Sequence, residues 1–210
     1  LAVGGITNDG NGSSSGHVRV FEWDGLGYNI KGPDIDGEAS YDNSGCSISI
    51  SDDGNIVAIG ARNNDGNGTN SGHVRVFQYS VHPTYQTWTQ LGQDMDGSAG
   101  DRSGHSVSLS NNGGTVVIGA LYGPDRIYAF NGTSWTQLGG NIYDEWSGDE
   151  SGYAVSITGD GNIVAIGAPF NDGNGYNSGH VRIYSYNGTS WTQLGQNIDG
   201  ETFEDLSGSS

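Results

Sequence analysis

An all-β fold made of four copies of one unit, arranged as a β-propeller, is predicted by three observations on this sequence. Four β-branched runs end in glycine, at residues 1–5, 56–60, 115–119 and 163–167. Each run is followed by further short alternating segments at a period of about fifty residues, the arithmetic of four-stranded blades. The segments are parted by turn residues, and no stretch carries helical periodicity with caps.

The remaining strands of each unit follow from three more signatures. Ser-Gly-His-Val-Arg, then Val or Ile and an aromatic residue, stands at 15–21, 71–77 and 178–184. The third copy reads Tyr-Gly-Pro-Asp-Arg-Ile-Tyr at 122–128. Trp-Thr-Gln-Leu-Gly follows at 88–92, 135–139 and 191–195, with Tyr-Asn-Ile-Lys-Gly at 28–32 as the divergent first copy. A Ser-Gly pair then opens an alternating strand at 44–50, 103–109 and 151–157. Asp53-Gly54-Asn55, Asp160-Gly161-Asn162, Asn131-Gly132 and Asn187-Gly188 read as hairpin turns. The units run approximately over 1–47, 48–106, 107–154 and 155–210.

Residue 1 aligns with the second strand of a unit, and 207–210 repeats the Ser-Gly start of a first strand. One blade is therefore expected to be split between the termini and to lack a strand. Its source is a longer array, a segment outside these 210 residues, or a neighbouring copy that adds its strand and so propagates head to tail.

Composition narrows the function classes. Glycine contributes 38 residues while only 33% of the chain is hydrophobic, yet 10% is aromatic, which separates it from disordered sequences. The net charge of −17 excludes nucleic acid and anionic lipid as partners, since both are held through Lys and Arg. No segment approaches the ~18 uninterrupted apolar residues of a membrane helix, and no signal peptide is visible. Cys46 is the single cysteine, so the array must hold itself together by packing.

The segments 151–157, 164–170 and 179–184 together resemble the FG-GAP repeat of integrin-α-like propellers and of bacterial and algal surface proteins. The resemblance implies a propeller displayed outside the cell. Two departures stand out: Ser replaces the Phe of the Phe-Gly pair, and the calcium loop between the first two strands is missing. That connection is only 51–55, 110–114 or 158–162, too short to wrap an ion in six or more oxygens.

Candidate chemistry sits at repeated positions. Asp9, Asp65 and Asp172, in Asn-Asp-Gly-Asn-Gly loops, are the candidate calcium carboxylates, set against a reading as Asx turns. His17, His73 and His180 share one position and would meet on a metal only around a common axis, a ring that Pro124 interrupts. Arg19, Arg75, Arg126 and Arg182 recur in every copy, as do Asp42, Asp101, Asp149 and Asp205; both sets read as architecture that ties strands or blades together. Asn11, Asn67, Asn131 and Asn187 are candidate glycosylation sites in turns. Trp88, Trp135, Trp146 and Trp191 are core residues or sugar-stacking platforms. No catalytic constellation emerges, and Cys46 aligns with His105, Tyr153 and Ser209. The expected function is a non-enzymatic extracellular structural or adhesive module, glycosylated and assembling with copies of itself. The alternative is a lectin-like or calcium-dependent binding propeller whose partners are glycans.

Overall fold

Each glycine-ended run becomes a strand of an antiparallel sheet, the edge strand of the first and the second strand of the other three, in the computed structural model, which describes residues 1–146 and 148–210. The first sheet holds β1 (Ala2–Gly4), β2 (His17–Trp23), β3 (Tyr28–Ile30) and β4 (Ile35–Asp36). The second holds β5 (Ser47–Ile50), β6 (Ile56–Ala61), β7 (His73–Val81), β8 (Gln86–Gln90) and β9 (Met95–Asp96). In the third lie β10 (Ser103–Leu109), β11 (Thr115–Ala120), β12 (Arg126–Phe130) and β13 (Trp135–Gln137). The fourth has β14 (Ala154–Ile157), β15 (Ile163–Ala168), β16 (His180–Tyr186), β17 (Trp191–Gln193) and β18 (Ile198–Asp199). The chain is all-β, with four sheets in the order of propeller blades.

One detail departs from four plain strands per unit. The outer strand is broken in two, as β3 and β4, β8 and β9, or β17 and β18, both parts pairing with the same third strand. The break falls at Gly32, Gly92 and Gly195, each with φ near +70°, which an L side chain rarely adopts. In the third sheet the second part shrinks to a single bridge between Asp125 and Ile142.

Three apolar cores lie at the joints between successive sheets. Val18, Val20 and Ile35 meet Val57, Ile59, Phe77 and Trp88 at the first joint. Val74, Val76 and Met95 meet Val116, Ile118 and Trp135 at the second, and Ile127 and Ile142 meet Val164, Ile166 and Tyr184 at the third. Alternation along each strand makes this possible, because successive side chains serve opposite joints. Val57 and Ile59 face back to the first sheet while Ala58 faces on to the third. Each fully buried Val or Ile contributes about 1.5–3 kcal/mol relative to exposure.

Polar bonds repeat across the joints and explain the sequence signatures. The indole N–H of Trp88, Trp135 and Trp191 donates to the carbonyl oxygens of Lys31, Leu91 and Leu138, at 2.8, 2.7 and 2.9 Å. The serines of the alternating first strands turn sideways: Ser47 donates to the Gly104 carbonyl and Ser106 to that of Gly152, both at 2.7 Å. A Cβ on Gly60 or Gly119 would collide with those same carbonyl oxygens, which is why the β-branched runs end in glycine.

The two outermost faces have no such partner among the described residues. On the first sheet Leu1, Val3 and Tyr28 are 61%, 47% and 63% exposed, whereas their counterparts Val57, Ile59 and Trp88 are buried. On the fourth sheet Ile198 is 54% exposed, against 2% for Met95 at the same position. The tail 207–210 lies on the fourth sheet. Ser207 bridges Gly179 in parallel, as Ser44 bridges Gly16 and Ser103 bridges Gly72.

Candidate functional site

The repeated charges hold the joints in two different ways. Arg75 and Arg182 each pass one Nη2–H to a carbonyl of the preceding unit, Asp36 and Tyr143, both at 2.8 Å. Arg126 instead reaches the Asp101 carboxylate at 3.2 Å, and Arg19 grips Asp34 of its own sheet with three contacts of 2.9–3.0 Å. Of the repeated aspartates, then, only Asp101 pairs with a repeated arginine. Asp42 and Asp149 accept from Asn64 and Asn171 of the next unit, at 3.0 and 2.7 Å. All four aspartates also accept a backbone N–H three residues back, from Ala39, Ser98, Trp146 and Thr202, so each closes its own linker. The first asparagine of the Asn-Asp-Gly-Asn-Gly loop, which sequence reading passed over, is the residue that ties that loop to its neighbour.

The loop aspartates are spoken for locally. Asp9, Asp65 and Asp172 each accept the N–H five residues on, at 2.7 Å, from Ser14, Asn70 and Asn177. None of them joins a cluster of three ligand-bearing side chains among the described residues. The short hairpins behave alike: Asp53 and Asp160 accept from Ser51 and Thr158 hydroxyls and from Asn55 and Asn162. These bonds hold both carboxyls below the usual range, with the Ser51 and Thr158 hydroxyls the largest cause. One self-bonded carboxylate per turn does not fit calcium, which takes six to eight oxygens.

Asn131 and Asn187 stand exposed at hairpin tips, each amide donating to the serine three residues on, at 3.1 Å. Asn11 and Asn67 donate instead to the Gly37 and Gly97 carbonyls and so brace the loop against the next turn. Cys46 points at the Gly60 and Gly104 carbonyls, and burial pushes its thiol up, away from the reactive thiolate.

A concavity of about 850 Å³ opens at the third joint. It is lined by Glu145, Asp149, Glu150, Asp172 and Asp199, with no Lys, Arg or His among the described residues of its wall. Phe170, Tyr176 and Trp146 supply its apolar surface; Trp146 is 75% exposed, unlike the joint tryptophans Trp88 and Trp135. Tyr176 leans on Phe203 with ring centroids 5.7 Å apart, which fixes its ring at the rim. Behind the wall, burial pushes Asp144 up to about 6, with Asp149 adding to the shift. Flat aromatic faces beside carboxylate acceptors suit a polyhydroxylated or cationic ligand. The sequence offered one clue: Trp146 lies outside the Trp-Thr-Gln-Leu-Gly signature.

Sheets of this order joined in this way define a propeller-type blade array. The FG-GAP repeat model matches residues 35–77 and 143–184. Both matches run from the end of one sheet into the third strand of the next, and so span the first and third joints. No curated protein matches the sequence. Among solved structures, Kuenenia stuttgartiensis hydrazine synthase superposes with a TM-score of 0.52 at 11% identity, over 87% of this chain and 43% of that one. Saccharomyces cerevisiae Sqt1 gives a TM-score of 0.46 at 16% identity, over 76% of this chain and 37% of that one. The first likeness shows the fold; the chain spans less than half the length of either protein. Among the described residues no helix is long and apolar enough to cross a membrane.

Proposed function

We propose that this protein is an extracellular structural or adhesive module that assembles head to tail, each outer face taking a further repeat of the same kind. The observation that carries this reading is the pair of uncovered faces. Leu1, Val3 and Tyr28 on one side and Ile198 on the other repeat the residues that internal joints bury. A heterologous contact of this kind closes into a ring or runs on as a filament. Mass photometry of the 210-residue chain is expected to show concentration-dependent oligomers, which Val3→Glu or Ile198→Glu abolishes. A chain that stays monomeric at high micromolar concentration, or oligomers indifferent to both changes, would refute the assembly.

The cleft favours a second role within the same module, non-catalytic binding of a glycan or a cationic group. On a glycan array, supplemented with basic peptides, Trp146→Ala should cost saturable binding about tenfold, since an aromatic stack is worth ~0.5–1.5 kcal/mol beyond its area. Equal binding by the variant would remove the cleft from the account.

A further inference from the structure

The three repeated histidines do not meet one another, but each lies against carboxylates, and at the first joint the arrangement is unbalanced. His73 is 1% exposed, and its Nδ1 faces Glu38 Oε2, Asp94 Oδ2 and Asp96 Oδ1, each at 3.9 Å. That is beyond hydrogen-bonding range, so the imidazole of a nearly fully buried residue is aimed at three acceptors that it does not bond directly. Glu38 comes from the linker of the first unit, while Asp94 and Asp96 flank Met95 on the second. The ligand atoms of Glu38, His73 and Asp94 all lie within 4.8 Å of one another.

The other copies show what this position needs. In the fourth unit Asn197 replaces Asp94. Its Nδ2 donates to His180 Nδ1 at 3.3 Å and to both oxygens of Glu145 at 3.2 Å. Its Oδ1 accepts from Gln193, which fixes which end of the amide faces inward. In the first unit Arg19 covers Asp34, beside His17. At the second joint the whole set is gone: Ser98 stands for Glu38, Pro124 for His73, Asn141 for Asp94 and Tyr143 for Asp96. A positively polarised group thus faces the acids in the first and fourth units, and no acidic set exists at the second joint. At the first joint Arg75 reaches Glu38 and Gln90 bonds Asp94 Oδ1, while Asp94 Oδ2 and Asp96 Oδ1 face His73 with no cation bonded to them among the described residues.

We infer that Glu38, His73, Asp94 and Asp96 form a binding site for a divalent first-row transition metal that clasps the first and second units. The charges balance: Arg75 Nη1 lies 3.4 Å from Glu38, and three carboxylates less one guanidinium leave two negative charges. A cation between Glu38, His73 and Asp94 would stand about 2.5 Å from each, a few tenths of an ångström beyond zinc–ligand lengths. Glu38 and Asp94 keep 43% and 32% of their side chains exposed, enough to close that difference and leave a path for the ion. An imidazole with few oxygens selects zinc or a neighbouring metal over calcium, which asks for more oxygens.

The test uses the chelator-stripped full chain and Zn²⁺ alone, in competition with a chromophoric chelator. One saturable equivalent is expected, weakened at least about tenfold by Asp94→Asn, as loss of a ligand demands. That substitution recreates the arrangement of the fourth unit, so the variant should fold and resist heat as well as the parent without metal. Added Zn²⁺ should raise the melting temperature of the parent and raise that of the variant less at the same concentration. No saturable binding, or undiminished binding by a folded Asp94→Asn variant, would overturn the site.

Discussion

Trp135→Ala is expected to cost about 3–5 kcal/mol in urea unfolding, a large part of the total stability of a chain this size. The side chain is 3% exposed in the core of the second joint. Its removal deletes the ring and strands the Leu91 carbonyl that the indole N–H satisfies. Gln93 bonds only the backbone N–H and carbonyl of residue 135, which alanine keeps, so the loss is that of the indole ring and its one hydrogen bond. The matched change is Tyr28→Ala at the equivalent position of the first unit. That ring is 63% exposed, so the expected cost lies within about 0.5 kcal/mol, as for other surface substitutions. Equal costs for the two would mean that the joints do not hold the array together.

Asp125 contributes stability that is lost as pH rises from about 4 to 7. It occupies the position of Val18, Val74 and Val181, is fully buried, and accepts from Ser151 Oγ at 2.8 Å and the Ala120 N–H at 3.2 Å. Burial outweighs both bonds and pushes its carboxyl up to about 7. An unfolded aspartate ionises near 4, so between about 4 and 7 the folded chain holds a proton that the unfolded chain has released. The folded state then loses up to about 1.4 kcal/mol per pH unit, and the full cost stands above pH 7. Asp144, across Ser151 and pushed up to about 6, acts in the same direction. The exposed turn carboxylates Asp24, Asp53 and Asp160 are shifted downward, so their contribution is lost only in acid, outside this window. Burial pushes His73 and His105 down to about 4 and His180 down as well, which adds stability as pH rises towards the usual histidine range, so the difference between two chains isolates Asp125. With chelator present, going from pH 5 to pH 8 should lower the melting temperature of the parent relative to that of Asp125→Val. A parallel pH profile for the two chains would show that Asp125 is not the group responsible.

What could be read from the sequence follows from repetition. Strand positions, hairpin turns and the Ser-Gly and Trp signatures are local chemistry stated three or four times, so the blades were legible. The meaning of the glycines ending each β-branched run was not, because it depends on a carbonyl from the next unit. The repeated arginines were recognised as architecture, but Arg75 and Arg182 bond backbone carbonyl oxygens, which carry no trace in residue identity. Glu38, Asp94 and Asp96 went unnoticed for a different reason. Glu38 and Asp94 lie at positions where the copies disagree, and alignment draws the eye to agreement; Asp96 recurs as Asp36 and Asp199, and only the fold shows that it faces His73 beside the other two. Trp146 was grouped with three joint tryptophans, although it stands outside their motif and faces solvent.

The equivalence of the joints has a consequence for inheritance. Gly-Asn-Ile-Val-Ala-Ile-Gly-Ala occurs identically at 54–61 and 161–168, through the second strand of the second and fourth units. Recombination between the genetic segments for these stretches would remove two whole blades and leave a continuous second strand. The new neighbours would still meet valine with isoleucine and indole with carbonyl. Such a lineage lengthens or shortens by whole units with every intermediate able to fold. What changes on each occasion is the set of exceptions, Asp125, Asp94 and Trp146, so duplication moves individuality about while the frame stays constant.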